Sequence, residues 1–152
     1  MAVEIGDQAP DFTLRDQKGD EVGLSELKGE KSLVVFMPFA FSPTCLGELC
    51  AIRDNLQGLE NLGARVVVVT CDSVFTNRAW TEENGFNLPI LSDFWPHGQV
   101  STAYGAFNER TGGAFRSTYV LDGEGTVRAI VKTESTGIPR EFERYGEALA
   151  SI

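Results

Sequence analysis

The chain has 152 residues, of which 42% are hydrophobic and 23% charged, so it is long enough for one self-supporting core and is not composed like a disordered segment. Its 22 acidic against 13 basic residues leave a net charge of −9, which excludes the clustered cations that nucleic acid or an anionic membrane surface requires. No apolar run approaches the ~20 residues of a membrane span, and residues 1–12 lack the basic and apolar regions of a secretory signal; a single domain over 1–152, in the cytoplasm, is the expectation.

Phe12 and Leu14 alternate before the turn-rich Asp16-Gln17-Lys18-Gly19-Asp20, and Val22 and Leu24 alternate after it, the pattern of a β-hairpin. Past Gly29, residues 33–37 are apolar at every position, as in a strand buried on both faces. Ser42-Pro43 then has the form of an N-cap followed by proline at the first helical position. Leu46, Leu49, Ile52, Leu56 and Leu59 recur at helical spacing from there, fading near Gly63. Residues 65–70 repeat the buried-strand pattern, 77–84 read as a short helix, 88–91 as a strand, and 94–107 as loop and short helix. Residues 117–121 and 127–131 form a hairpin across Asp122-Gly123-Glu124-Gly125, and 140–149 an amphipathic helix. The succession predicts an α/β fold, a central mixed sheet flanked by helices with an N-terminal β-hairpin. It is compatible with a thioredoxin-like core, in which a cysteine opens the helix after the first central strand.

The chemistry concentrates between Pro38 and Cys50. With Ser42 as N-cap, Cys45 is the third helical residue, among backbone N–H groups that have no intrahelical partner and at the positive end of the helix dipole. That setting favours the thiolate, the reactive form of the side chain, and the same N–H groups can stabilise charge developing on a departing oxygen. Three cysteines cannot all pair within one chain. In a protein without an export signal, thiols are kept reduced and serve as catalysts or inert packing. Cys71, ending an apolar strand, reads as packing, with a second thiol able to pair with an oxidised Cys45 as the alternative. The lone His97, in a Pro-His-Gly loop, cannot build a triad, and the cysteine spacing lacks the short pairs of a zinc site, so neither metal nor cofactor is expected. Phe94 and Trp95 read either as an exposed aromatic patch or as core.

Pro38, Ser42 and Cys45 match P-x-x-x-[T/S]-x-x-C, and the stretch resembles the active-site motif of the peroxiredoxin family. Ala9-Pro10-Asp11-Phe12-Thr13-Leu14 and Leu91-Ser92-Asp93-Phe94 extend the similarity over nearly the whole chain, and residues 92–105 resemble the alkyl hydroperoxide reductase E branch. The resemblance implies a thiol-dependent peroxidase acting on hydrogen peroxide and organic hydroperoxides, with peroxynitrite a further substrate. Cys45 would become a sulfenic acid, Pro38 would shield the thiolate from water, and the Ser42 hydroxyl would hold sulfur and peroxide. Arg116 would lie beside the sulfur and favour its charged form. A homodimer is implied, with a thioredoxin or a mycothiol and mycoredoxin system as reductant. Glu48, one turn after Cys45, reads as a surface charge near the dipole or as a contact to partner or substrate.

Cys50 departs from that branch and resembles the resolving cysteine of the bacterioferritin-comigratory (Q-type) branch. Along an ideal helix, residues five apart have Cα atoms ~8.7 Å apart, beyond the ~7 Å a disulfide tolerates. A Cys45–Cys50 bond would require the helix to unwind, with Gly47 the weak point. Otherwise Cys50 is a small core residue and an external thiol attacks the sulfenic acid. Two other functions are open: a thiol-disulfide oxidoreductase, which ordinarily uses C-x-x-C rather than this C-x-x-x-x-C, and a non-enzymatic redox sensor.

Overall fold

The computed structural model describes residues 2–152. The N-terminal hairpin joins β1 (Thr13–Arg15) to β2 (Glu21–Gly23), with Leu14 opposite Val22. Its turn closes because the Asp16 carboxylate accepts from the backbone N–H groups of Lys18 and Asp20. A short 3-10 turn follows at Leu24–Leu27, and then come β3 (Lys31–Phe36), α1 (Pro43–Asp54), α2 (Leu56–Asn61), β4 (Ala64–Thr70), α3 (Val74–Asn84) and β5 (Ile90–Ser92). The second half holds α4 (Gln99–Tyr104), the two-residue strands β6 (Phe107–Asn108) and β7 (Gly113–Ala114), β8 (Ser117–Leu121), β9 (Val127–Lys132) and α5 (Glu143–Ala150).

One seven-stranded sheet runs in the order β2-β1-β5-β4-β3-β8-β9. The parallel β3, β4 and β5 lie at its centre, and β8 runs antiparallel to β3. This is the mixed, thioredoxin-like α/β arrangement the pattern predicts. Because side chains alternate across a strand, β3 supplies two cores at once. Leu33 and Val35 face a cluster with Leu49 and Ile52 of α1, Leu59 of α2, Trp80 of α3 and Leu149 of α5. Val34 and Phe36 face Phe12, Leu24, Leu27, Val100 and Tyr104 on the opposite side. Truncating any of the fully buried leucines to alanine would cost about 2–5 kcal/mol. Among the described residues no helix is long and apolar enough to cross a membrane.

Several boundaries differ from the sequence pattern for local reasons. The long helix expected to run to Gly63 breaks at Asn55, whose φ of −119° leaves the helical region while its side-chain amide donates to the Ala51 carbonyl. The helix expected from residue 77 begins at Val74, because Ser73 caps it by accepting from Thr76 N–H. The strand expected from 88 starts after Pro89, and the β6–β7 hairpin carries too few residues to show a period. The last helix begins at Glu143, not at residue 140. That shift matters, because it frees Arg140 to turn inward.

Candidate active site

Sheet register brings the site together. Phe36, the last residue of β3, lies opposite Val69 of β4 on one side and Ser117 of β8 on the other. The chain leaving β3 therefore passes between the end of β4 and the start of β8, where Arg116 immediately precedes Ser117. Ser42 has extended backbone angles, Pro43 opens α1, and Leu46 N–H donates to the Ser42 carbonyl to close the first turn. This geometry puts Cys45 within that turn, fully buried.

The sulfur has a cationic partner from 71 residues away. Arg116 Nη1 lies 3.2 Å from Cys45 Sγ and also donates to Glu48 Oε1 at 2.6 Å, while its Nε donates to the Thr136 carbonyl. Glu48 is not the surface charge the helical spacing suggested: it is 7% exposed and held by a second guanidinium. Arg140 donates from Nε to Oε2 at 2.9 Å and from Nη2 to Oε1 at 2.8 Å, and its backbone N–H donates to Oε2 at 2.7 Å. The remaining donor of the same side chain, Nη1, reaches the Phe36 carbonyl at 2.8 Å and Thr118 Oγ1 at 3.0 Å. One side chain thus ties α1 to the ends of β3 and β8.

Burial alone would push the Glu48 carboxyl up, but the hydrogen bonds and charge of Arg140, with the charge of Arg116, hold it below the ordinary 4.5. With Glu48 ionised, two guanidinium groups meet one carboxylate, and a unit of positive charge is left over beside the sulfur. Cys45 Sγ lies against the Arg116 guanidinium that carries part of it.

Pro38 is buried, and with Phe39, Ser42, Pro43, Thr44, Thr111, Arg116, Thr136 and Gly137 it lines a cleft of about 270 Å³. A larger cleft of about 700 Å³ shares Thr136 but is lined mainly by residues of 102–115 and 134–136, away from the sulfur. The Ser42 hydroxyl donates to the Phe39 carbonyl at 3.0 Å and caps no helical N–H. Cys50 is half-buried against the α1 core, in the same unbroken helix as Cys45, and all three cysteines are free. Cys71 is buried 3.9 Å from Ser101 Oγ, and burial pushes its thiol up to about 11. His97 is exposed, with its two ring nitrogens beside the carbonyls of Phe94 and Gly112. Trp95 is 80% and Phe94 50% exposed, the patch rather than the core alternative.

Arg140 was the residue that pattern reading missed, because a charge at the head of an amphipathic stretch looks solvent-facing. The available signal was on α1: Cys45, Glu48, Leu49 and Ile52 share one helical face, so Glu48 falls in the apolar stripe and needs a buried cation.

Residues 5–130 match the AhpC/TSA family. The chain is 42% identical to the alkyl hydroperoxide reductase E of Mycobacterium tuberculosis over 151 residues, covering 99% of this chain and 98% of that protein. It is 30% identical to the peroxiredoxin Bcp of Escherichia coli over 134 residues, 84% of this chain and 85% of the relative. The crystal structure of AhpC from Enterococcus faecalis superposes with a TM-score of 0.89 at 26% identity, covering 99% of this chain and 92% of that one. With a buried cysteine at the head of α1, a guanidinium against its sulfur and full-length similarity of this kind, the chain belongs to the AhpC/TSA family, that of the alkyl hydroperoxide reductases and peroxiredoxins.

Proposed function

We infer that this thiol-dependent peroxidase works through Cys45. The observation that carries the reading is Arg116 Nη1 at 3.2 Å from a sulfur in the first turn of α1. The Cys45 thiolate attacks the terminal oxygen of a hydroperoxide; an S–O bond forms as the O–O bond breaks, and the electron pair leaves on the distal oxygen, which takes a proton and departs as water or an alcohol. Arg116 and the free N–H groups of α1 stabilise the charge that grows on that oxygen. Pro38, buried at the cleft wall, keeps bulk water from the sulfur.

The sulfenic acid at Cys45 then condenses with a thiol and releases water. Cys50 supplies that thiol when the first turns of α1 unwind, since the intact helix holds the two residues too far apart to bond. A dithiol protein of the thioredoxin or mycoredoxin type, the latter with mycothiol, returns the disulfide to two thiols. The half-exposed Phe94 and the exposed Trp95 and Phe75 form an apolar surface that supports a homodimer. The three free cysteines suit a reducing compartment, the cytoplasm.

Stopped-flow tryptophan fluorescence with hydrogen peroxide and an organic hydroperoxide tests the scheme. Cys45→Ser abolishes the fast phase, and Cys50→Ser keeps it but loses the later phase. Peptide mapping after one equivalent of peroxide yields a Cys45–Cys50 bridge. A sulfenate that persists on Cys45 in the wild type, without a bridge, would assign resolution to an external thiol.

A further inference from the structure

We propose that Asp72 is a positioning residue for peroxide binding, acting through a single peptide plane on the Ser42 hydroxyl. Asp72 follows β4, and the parallel pairing of β4 with β3 carries it to the loop that leaves β3. There its Oδ2 accepts from the Ala40 backbone N–H at 2.7 Å. The carbonyl of the same peptide unit, that of Phe39, accepts from Ser42 Oγ at 3.0 Å. N–H and C=O of one peptide unit are locked in a plane and point opposite ways, so the carboxylate that fixes the N–H also fixes the direction of the carbonyl.

The consequence falls on a lone pair. Ser42 has one hydrogen to give, and the Phe39 carbonyl takes it. The Oγ lone pairs are then turned to the cleft as acceptors, and the hydroperoxide O–H has a fixed partner in the cleft that Arg116 also lines. Without Asp72 the peptide is free to rotate, Ser42 loses its acceptor, and its hydrogen swings toward the cleft. A hydroxyl that donates there opposes the peroxide proton. Asp72 is itself braced: its carbonyl accepts from Ser92 Oγ at 2.6 Å, and its backbone N–H meets Thr70 Oγ1 at 3.4 Å. Burial pushes its carboxyl up, partly offset by the Ala40 and Thr70 contacts and by His97.

This inference rests on the Cys45 peroxidase reading, and the test separates the two. The second-order rate with hydrogen peroxide is measured beside the rate of Cys45 alkylation by iodoacetamide at pH 7. Asp72→Ala is expected to slow peroxide by about 10- to 100-fold, the scale of one lost hydrogen bond in the transition state, with alkylation within about threefold of wild type. Asp72→Asn keeps an acceptor oxygen and recovers most of the peroxide rate. In a Ser42→Ala background, removing Asp72 costs nothing further. Asp72→Leu, of similar size but without an acceptor, replaces the alanine variant if that variant does not fold. Wild-type peroxide kinetics in Asp72→Leu, no rescue by asparagine, or a parallel fall of alkylation and peroxide rates each overturn the assignment. Peroxide turnover surviving in Cys45→Ser would instead overturn the underlying reading.

Discussion

Arg140→Met removes a guanidinium whose side chain has no exposed surface and makes four hydrogen bonds, two to Glu48 and one each to Phe36 and Thr118. Thr118 keeps a partner in the Tyr145 hydroxyl at 3.1 Å, but the Phe36 carbonyl and much of the Glu48 carboxylate are stranded. Breaking one side of a buried ion pair costs about 3–5 kcal/mol, because the remaining charge keeps its desolvation penalty. Against a stability of roughly 5–15 kcal/mol and a urea slope of about 2 kcal/mol per molar, the variant folds with its unfolding midpoint lowered by about 2 M. Glu48→Gln/Arg140→Met should be more stable than the sum of the single losses by at least about 1 kcal/mol, since the pair acts as a unit. Urea titration followed by Trp80 fluorescence measures all three. The same change leaves Arg116 to serve Glu48 alone, so thiolate absorbance at 240 nm and the peroxide rate at pH 7 fall together. A midpoint within about 0.5 M of wild type, or strictly additive losses, would refute the reasoning about the cluster.

The Glu48 carboxyl lies below its ordinary value in the folded protein, so its contribution is present at neutral pH and is lost as pH falls through the folded value, below 4.5. Stability of Glu48→Gln should therefore decline less steeply with acid than wild type, read as urea midpoints at pH 3 to 5; parallel curves would contradict the assignment. Cys71, with its thiol near 11, has about one thiolate in a thousand at pH 8, and mass spectrometry should find it unlabelled by iodoacetamide until the protein unfolds. Labelling at the rate of Cys50 in native protein would refute its burial. A Cβ at Gly47 meets nothing within 4 Å, so Gly47→Ala should stiffen α1 by about 1 kcal/mol and slow Cys45–Cys50 bond formation about fivefold, measured by the second fluorescence phase. An unchanged second phase would mean that unwinding of α1 does not limit resolution.

Where a single period governs a segment, the fold was legible. The unbroken apolar run at the centre became β3, Ser42-Pro43 marked the start of α1, and the Asp16 turn joined β1 to β2. The site was legible to the extent that its parts lie in one short stretch: Pro38, Ser42 and Cys45 are close in sequence, and Arg116 was reachable through the family resemblance alone. Glu48 was read as a surface charge or a contact although it lies in the apolar stripe of α1, and Arg140 was missed because nothing local marks a charge at the head of its stretch for burial. That depends on a partner 92 positions away, which periodicity does not register. Asp72 escaped for a related reason. Its effect passes through backbone atoms of the Phe39–Ala40 peptide, and these have no side-chain signature.

With Cys45 in the role proposed above, the Arg140 clasp also sets when in the life of the chain its sulfur becomes reactive. A chain folded only through β4 already has the helix start that surrounds Cys45, yet neither guanidinium has arrived, since Arg116 awaits the pairing of β8 with β3 and Arg140 awaits the segment before α5. Until then Cys45 lacks its counter-charge and reacts no faster than a generic helix-start thiol. On the proposed role of Cys45, newly made or partly opened molecules would be spared oxidation at the residue on which peroxide acts, and sensitivity to peroxide would read out complete folding.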